Sequence, residues 1–137
     1  MPDAHEWTRD DSAPFVRVPG ASDDKYSRGV VGLRTGSSVY PGAAVLGVEA
    51  AWRAGAGFVR YIGQGRASDA VMARRPETVV AAHADGARAG AWVIGSGTDA
   101  TQRTPDDERE LRGILDGHLP VVVDAGALDL APGAVAP

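Results

Sequence analysis

Residues 30–46 read VVGLRTGSSVYPGAAVL and carry three local signals in a short span. Residues 30–35 form an apolar run of strand type, and residues 36–42 form a turn rich in glycine, serine and proline. The small side chains that follow recur at helical spacing, so a helix is predicted over residues 43–54, which Gly55 and Gly57 end. A strand that leads through a glycine turn into a helix is typical of a β-α-β unit.

The same alternation continues along the chain. Strands are predicted at residues 58–62, 78–80, 91–94 and 119–124, and helices at residues 68–75, ended by Pro76, and 104–116, with Thr104 as N-cap and Pro105 as first helical residue. Apolar runs of this continuous kind are typical of strands buried on both faces. We therefore expect an α/β fold whose mostly parallel sheet carries helices on both faces.

Length and composition narrow the class of protein. A chain of 137 residues suits one domain, and the polar, proline- and glycine-broken start predicts an extended or partly disordered lead-in over residues 1–23 before a body over residues 24–137. The formal charge of −4 and the lack of a basic stripe disfavour a nucleic-acid surface or polybasic membrane contact.

The residue types and segments that the sequence lacks also indicate where the protein is located. The first thirty residues contain no apolar segment of the kind found in signal peptides or membrane spans. The sequence contains no cysteine, which excludes disulfides, thiolate metal sites and a cysteine nucleophile, and which fits a reducing cytoplasm. We expect a cytoplasmic protein.

Candidate site residues follow the predicted strands, because parallel sheets bind ligands outside the carboxyl ends of their strands. Three such segments, residues 36–42, 95–97 and 124–128, carry small or polar side chains. The first is either a phosphate site at a helix N-terminus or a tight turn, and it matches neither a dinucleotide fingerprint nor a P-loop. The second offers close backbone approach to a ligand or simply a turn. Asp124 could bind a metal, bind a ribose hydroxyl or cap the following turn, of which capping is the commonest.

Other conspicuous residues have simpler interpretations. The three histidines, His5, His83 and His118, lack metal-ligand spacing. The acidic run at residues 106–108 is best explained as favourable charge at a helix start. Trp52 and Trp92 lie within apolar elements and are predicted core residues.

Taken together, several motifs resemble one family. DKYSRG at residues 24–29, GSSVYPGAAVL at 36–46, RAGAGFV at 53–59, VIGSG at 93–97 and VVVDAGAL at 121–128 occur in that family's order. The chain resembles the ADP/ATP-dependent NAD(P)H-hydrate dehydratases. This resemblance implies a ribokinase-like fold and a metabolite-repair reaction, in which water is removed from hydrated NADH or NADPH at the expense of ADP or ATP, with Mg²⁺.

The resemblance also assigns residues to substrate binding. It implies that the helix entry at residues 40–43 and Gly97 contact the hydrated dinucleotide, with Ala43 and Gly97 foremost. The full predicted set of substrate-binding residues is Gly36, Ser37, Tyr40, Gly42, Ala43, Gly97 and Asp124, and no metal ligand is assigned.

The chain departs from the family pattern at several places. Arg34 and Thr35 stand where the family has smaller residues, Ser96 replaces a proline, and Gly126 replaces the second aspartate of a D-A-D motif. The family's T-P-H-x-G-E segment, its adenine-nucleotide loops and the turn that bears its catalytic aspartate do not occur in the sequence. The resemblance thus covers an amino-terminal half that is incomplete at its C-terminus, with the catalytic base expected beyond Pro137 and the isolated chain expected to be inactive.

Two other classes of function stay open from the sequence. The chain could be a nonenzymatic module that binds a dinucleotide or assembles with another chain, or a fragment of a ribokinase-like kinase of small molecules. The sequence also leaves open the choice between NADH and NADPH hydrate, the choice between ADP and ATP, and a homo-oligomer of the full-length protein.

Overall fold

A computed structural model describes residues 4–133. Its helices are α1 (Arg9–Ser12), α2 (Pro41–Arg53), α3 (Gly65–Arg74) and α4 (Pro105–Leu115), its strands are β1 (Val30–Arg34), β2 (Phe58–Ile62), β3 (Val79–Ala81), β4 (Ala91–Ile94) and β5 (Val121–Val123), and short 3-10 helices span Ala13–Phe15, Ala100–Gln102 and Ala125–Leu130.

The five strands form one sheet in the order β3-β2-β1-β4-β5, and every pairing is parallel. β1 lies at the centre, where Leu33 aligns with Tyr61 of β2 on one side and with Val93 of β4 on the other. The chain builds the sheet outward from β1 to β3 and then crosses back to add β4 and β5 on the opposite side. This reversal places the ends of β1 and β4 side by side, with their following segments leading to opposite faces.

Each face of the sheet carries its own apolar cluster. On the first face, Leu33, Val59 and Tyr61 pack against α2 and α3. On the second face, Ile62, Trp92 and Ile94 pack against α4 and the 3-10 helix Ala125–Leu130. The predicted α/β fold with a parallel sheet and helices on both faces is confirmed.

Coverage of the first face is uneven. The helices α2 and α3 lie over β1, β2 and β3, whereas Val122 of β5, which aligns with Val93, is 61% exposed. The prediction that this last strand is buried on both faces was therefore wrong, because among the described residues only the second face of β5 is covered by a helix.

Boundaries differ from the predictions at several elements. α2 begins at Pro41 rather than residue 43, and α3 begins at Gly65 rather than residue 68, since proline and glycine are both tolerated at the start of a helix. β5 is confined to residues 121–123, the only part of the predicted strand that pairs with β4. The predicted start of α4 is confirmed, with Thr104 and Asp107 forming a reciprocal capping box.

The predicted lead-in contains one short helix among its described residues. Thr8 caps the short helix α1 through a capping box with Asp11, and a 3-10 turn follows directly. Arg28 connects the end of this segment to the body, because its Nη1 donates to the carbonyl of Arg17 at 3.4 Å and its Nε and Nη2 donate to the carbonyl of Gly55 at 3.1 and 2.7 Å. Residues 1–3 and 134–137 lie outside the described range.

Both predicted core tryptophans lie in the body of the fold. Trp92 is buried on β4, and Trp52 is partly buried, with its indole N–H donating to the hydroxyl of Thr78 at 3.0 Å. The ring of Trp92 extends across β1 at Gly32, where a Cβ would lie only 2.5 Å from two ring carbons. Gly32 therefore makes room for the largest core side chain of the second face.

We predict that Gly32→Ala lowers the free energy of unfolding by about 1–3 kcal/mol, because the new methyl group displaces the Trp92 ring. Urea unfolding followed by tryptophan fluorescence measures the change. Gly113→Ala in α4 is the matched control: a Cβ there meets nothing within 4 Å. Since alanine favours helix, this control should raise stability by about 0.5–1 kcal/mol. Equal effects of the two substitutions would contradict the packing argument.

A carboxylate joins α2 to the end of α3. Glu49 accepts hydrogen bonds from Arg75 at 2.6 and 2.8 Å and from Arg53 at 2.7 Å. These guanidinium bonds lower the pKa of Glu49 from about 4.5 to about 2. Because the pKa is lower in the folded state, ionised Glu49 stabilises the fold fully above pH 4.5, and this contribution is lost as the pH falls toward 2.

We expect Glu49→Gln to destabilise the protein more at pH 7 than at pH 3. Urea unfolding of both proteins at the two pH values tests this difference. Other carboxylates also titrate in this range, so only the gap between the two proteins reports on Glu49. A gap that stays constant or widens on acidification would show that the ion pairs do not produce it.

Candidate functional site

The segments after β1 and β4 are joined by backbone hydrogen bonds at the carboxyl edge of the sheet. The Gly36 N–H donates to the carbonyl of Ser96 at 2.7 Å, and the Gly95 N–H donates to the carbonyl of Arg34 at 3.1 Å. Gly36, Gly95 and Gly97 all have positive φ angles, of 72°, 98° and 68°, which side-chain-bearing residues rarely adopt. The glycines therefore allow both segments to turn sharply where the strands end.

Gly97 and Ala43, the two foremost candidates, are in contact. A Cβ on Gly97 would overlap the Cβ of Ala43, and it would lie 3.2 Å from the Cα of Gly36 and 3.3 Å from the carbonyl oxygen of Tyr40. Residues separated by more than fifty positions in the sequence thus meet at one point. The close approach also gives Gly97 a packing role, since it lets the first turn of α2 lie directly on the segment after β4.

The turn that enters α2 is held by its own side chain. The Tyr40 N–H donates to the Ser37 hydroxyl at 3.0 Å, and Tyr40 is 59% exposed. Gly42 differs from the other glycines, because a Cβ there meets nothing within 4 Å and its φ is not positive. Packing does not require glycine at position 42, so its surface is free for a ligand.

Asp124 follows β5 and lies next to this cluster. It occupies the N-cap position of the 3-10 helix Ala125–Leu130, but its side chain makes no capping hydrogen bond. The commonest role expected for Asp124, capping, is therefore wrong. Its carboxylate instead accepts a hydrogen bond from the Ser96 hydroxyl at 2.7 Å. Ser96 thereby connects Asp124 to the segment that contains Gly97.

The structure also shows why residue 126 is a glycine and not an aspartate in this chain. A Cβ at this position would overlap the carbonyl oxygen of Thr98 and lie 2.5 Å from its hydroxyl. An aspartate could not occupy position 126 without moving Thr98. Glycine at position 126 therefore lets the backbone of Thr98 pack closely, and Asp124 is the only carboxylate that residues 124–126 provide.

A cavity of about 350 Å³ opens at the same edge of the sheet. Its walls come from the segments after β1, β2 and β4 and from the first turns of α4. They include Arg34, Gly36, Ser37, Gln64, Thr98 and Arg103.

Sequence reasoning found Gly36 and Ser37 but missed the other four of these wall residues. Gln64 could have been found from the sequence, because residues 63–65 (GQG) directly follow a predicted strand. Arg34, Thr98 and Arg103 required the strand order and the position of α4.

Two arginines of the cavity wall are neutralised by carboxylates. Arg34 donates to Asp107 at 2.5 Å and to Glu110 at 2.7 Å, which ties the end of β1 to α4. Arg103 donates to both carboxylate oxygens of Asp129 at 2.6 and 2.9 Å. These ion pairs hold both arginine side chains in place at the cavity, and the charge of each arginine is balanced by at least one carboxylate.

The cavity wall also contains a buried phenol. Tyr61 donates its hydroxyl proton to the carbonyl of Thr35 at 2.6 Å, and burial raises the pKa of Tyr61 to about 12. Its hydroxyl therefore stays protonated at neutral pH. Tyr61 holds the end of β1 in place.

The fold is similar to solved structures. An ADP/ATP-dependent NAD(P)H-hydrate dehydratase from Bacillus subtilis, co-crystallised with ATP and Mg²⁺, matches 93% of this chain with a TM-score of 0.78 and 24% identity, and the match covers 48% of that protein. A ribokinase-like superfamily protein from Enterococcus faecalis V583 matches 90% of the chain with a TM-score of 0.76 and 22% identity, over 46% of its length. The predicted ribokinase-like fold is confirmed.

Curated relatives are more similar in sequence. The bifunctional NAD(P)H-hydrate repair enzyme Nnr of Mycobacterium leprae is 44% identical over 123 residues, which is 88% of this chain and 24% of that enzyme. The Nnr enzyme of Corynebacterium glutamicum is 42% identical over 113 residues, or 82% of this chain and 19% of that enzyme. The chain spans about a quarter or less of the length of these relatives.

A family model described as NAD(P)H-hydrate dehydratase matches residues 31–133. That range contains the whole parallel sheet from the second residue of β1 onward, and it includes the Gly36, Ala43 and Gly97 cluster. The resemblance predicted from the sequence motifs is confirmed. This chain belongs to the NAD(P)H-hydrate dehydratase family.

Proposed function

We propose that this chain forms the substrate-binding part of an ADP- or ATP-dependent NAD(P)H-hydrate dehydratase, a hydro-lyase that restores NADH or NADPH from their hydrated forms. The observation that carries the proposal is the meeting of Gly36, Ala43 and Gly97 where the strand order reverses. In open parallel sheets this position is where nucleotides bind. Family membership supplies the class of substrate.

The proposed binding mode follows from the surfaces around that junction. Gly42 and Ala43 lie in the first turn of a helix of 13 residues, whose N-terminal end and dipole suit the pyrophosphate of a dinucleotide. The exposed ring of Tyr40 offers a face on which a planar base or nicotinamide ring can pack. Asp124, exposed and held at one oxygen by Ser96, has its other oxygen available for a hydroxyl group of the ligand.

We propose that the complete reaction uses ADP or ATP with Mg²⁺, as the name of the Bacillus subtilis neighbour states for that protein. Within residues 4–133, no group of three His, Asp or Glu side chains is arranged to hold a metal ion. We therefore assign no residue of this chain to Mg²⁺ and derive no step through it. When bound to the complete enzyme, the nucleotide would convert the ring hydroxyl into a phosphate leaving group.

We further propose a cytoplasmic location, because the sequence lacks cysteine, as expected for a reducing compartment. No helix within residues 4–133 is long and apolar enough to cross a membrane.

The first test is binding without turnover. We expect the purified 137-residue chain to bind hydrated NADH in a calorimetric titration. Addition of ADP and Mg²⁺ should not restore the NADH absorbance, because the family's base-bearing turn does not occur in this sequence. Lack of binding would contradict the proposed site, and regeneration of NADH would contradict the division of roles between this chain and the catalytic base.

The second test places a negative charge at the proposed phosphate site. We expect Gly42→Asp to weaken binding of hydrated NADH by about tenfold or more through repulsion. The fold should persist, since position 42 has free space and acidic residues favour the start of a helix. Gly42→Asn is the neutral control and should retain most of the affinity.

Gly113→Asp provides the control for location. This position in α4 is also open, and a Cβ there meets nothing within 4 Å. The same charge change should leave the affinity for hydrated NADH unaltered. If Gly42→Asp binds as tightly as Gly113→Asp, the start of α2 does not contact the phosphates.

A further inference from the structure

An unpaired arginine lies beside the cavity at the start of α3. Arg66 is the second residue of this helix, and its side chain is exposed. Within the described range no carboxylate lies within 4.0 Å of its guanidinium, in contrast to the paired Arg34 and Arg103. The first turn of α3 contains no acidic residue, whereas the first turn of α4 contains three. Arg66 is therefore the cation at this edge whose charge no carboxylate of residues 4–133 neutralises.

The position of Arg66 is set by the turn that precedes it. Gly65 has a φ of 61°, which lets residues 63–65 bend sharply after β2 and bring α3 toward the segment after β1. Arg66 Nη1 donates to the carbonyl of Ser38 at 3.3 Å. Ser38 lines the cavity, so this hydrogen bond places the guanidinium next to the cavity rim.

The guanidinium of Arg66 has N–H donors available for a ligand. A guanidinium carries several N–H donors in a planar fork, and a single hydrogen bond to Ser38 occupies only one of them. Such a fork suits the oxygens of a phosphate group. In a protein with a net charge of −4, a local unpaired cation at the rim of a cavity favours an anionic ligand there.

We propose that Arg66 binds a phosphate group of the hydrated dinucleotide at the rim of the cavity. This inference rests on the function proposed above and extends it to one residue. Two phosphate sources share the required chemistry: the pyrophosphate that hydrated NADH and hydrated NADPH have in common, and the 2′-phosphate that only hydrated NADPH carries.

The test compares Arg66→Gln with Arg74→Gln. Arg74 lies at the other end of α3, is 61% exposed, and has its nearest carboxylate oxygen, on Glu49, 3.9 Å away, so the control removes the same charge from the same helix. Calorimetric titrations with hydrated NADH and hydrated NADPH measure affinity. We expect Arg66→Gln to weaken binding of hydrated NADPH by about fivefold to tenfold, and Arg74→Gln to leave it unchanged.

Each outcome has one meaning. Equal losses with both ligands assign Arg66 to the pyrophosphate, and a loss confined to hydrated NADPH assigns it to the 2′-phosphate. If the unsubstituted protein binds both ligands and Arg66→Gln binds them as tightly as Arg74→Gln, the role of Arg66 is overturned while the proposed function stands. If the unsubstituted protein binds neither ligand, the proposed function fails as well. Thermal unfolding of both variants, expected to match the unsubstituted protein, excludes a loss through misfolding.

Discussion

The pairing of β1 with a parallel neighbour on each side is the constraint on which the rest of the structure depends. β2 and β4 both align with β1 in register, so the strands that follow β1 in the sequence are divided between the two halves of the sheet. The segments after β1 and β4 then leave the same edge in opposite directions, and a cleft between them is a geometric consequence. No side chain has to create this cleft. Side chains determine only how closely its walls approach and which charges face it.

Small residues determine how closely the walls of the cleft approach each other. The Cβ of Ala43 occupies the space that a side chain on residue 97 would need, and the Cβ of Ala44 does the same for residue 36. The first turn of α2 consequently packs on both strand ends, and its backbone comes within reach of the cleft. Substituting Gly97 or Gly36 would therefore disturb this packing. Gly42 differs from both, because it is exposed and a Cβ there meets nothing within 4 Å.

Charge is distributed unevenly around the cleft. Arg34 of β1 is held by Asp107 and Glu110, which fastens α4 to the sheet, and Arg103 is held by Asp129, which fastens the last 3-10 helix to the segment before α4. Glu49 of α2 binds Arg75 at the end of α3, which joins the two helices, and it also binds Arg53 of α2 itself. Arg66 differs from the two arginines of the cavity wall, because its hydrogen-bond partner is a carbonyl and not a carboxylate.

The sequence by itself determined the fold class, the strands at residues 58–62 and 91–94, the capped start of α4 and the family, because these depend on local periodicity, turn chemistry and ordered motifs. It also placed Gly36, Ala43 and Gly97 at strand ends. Only the tertiary structure decided that they touch, that Asp124 binds Ser96 instead of capping a helix, and that Val122 is exposed on one face. Likewise, no local sequence pattern indicates that Arg34 is paired with carboxylates and Arg66 is not. The physical reason is that contacts between distant residues depend on strand order and helix placement, which local sequence patterns do not encode.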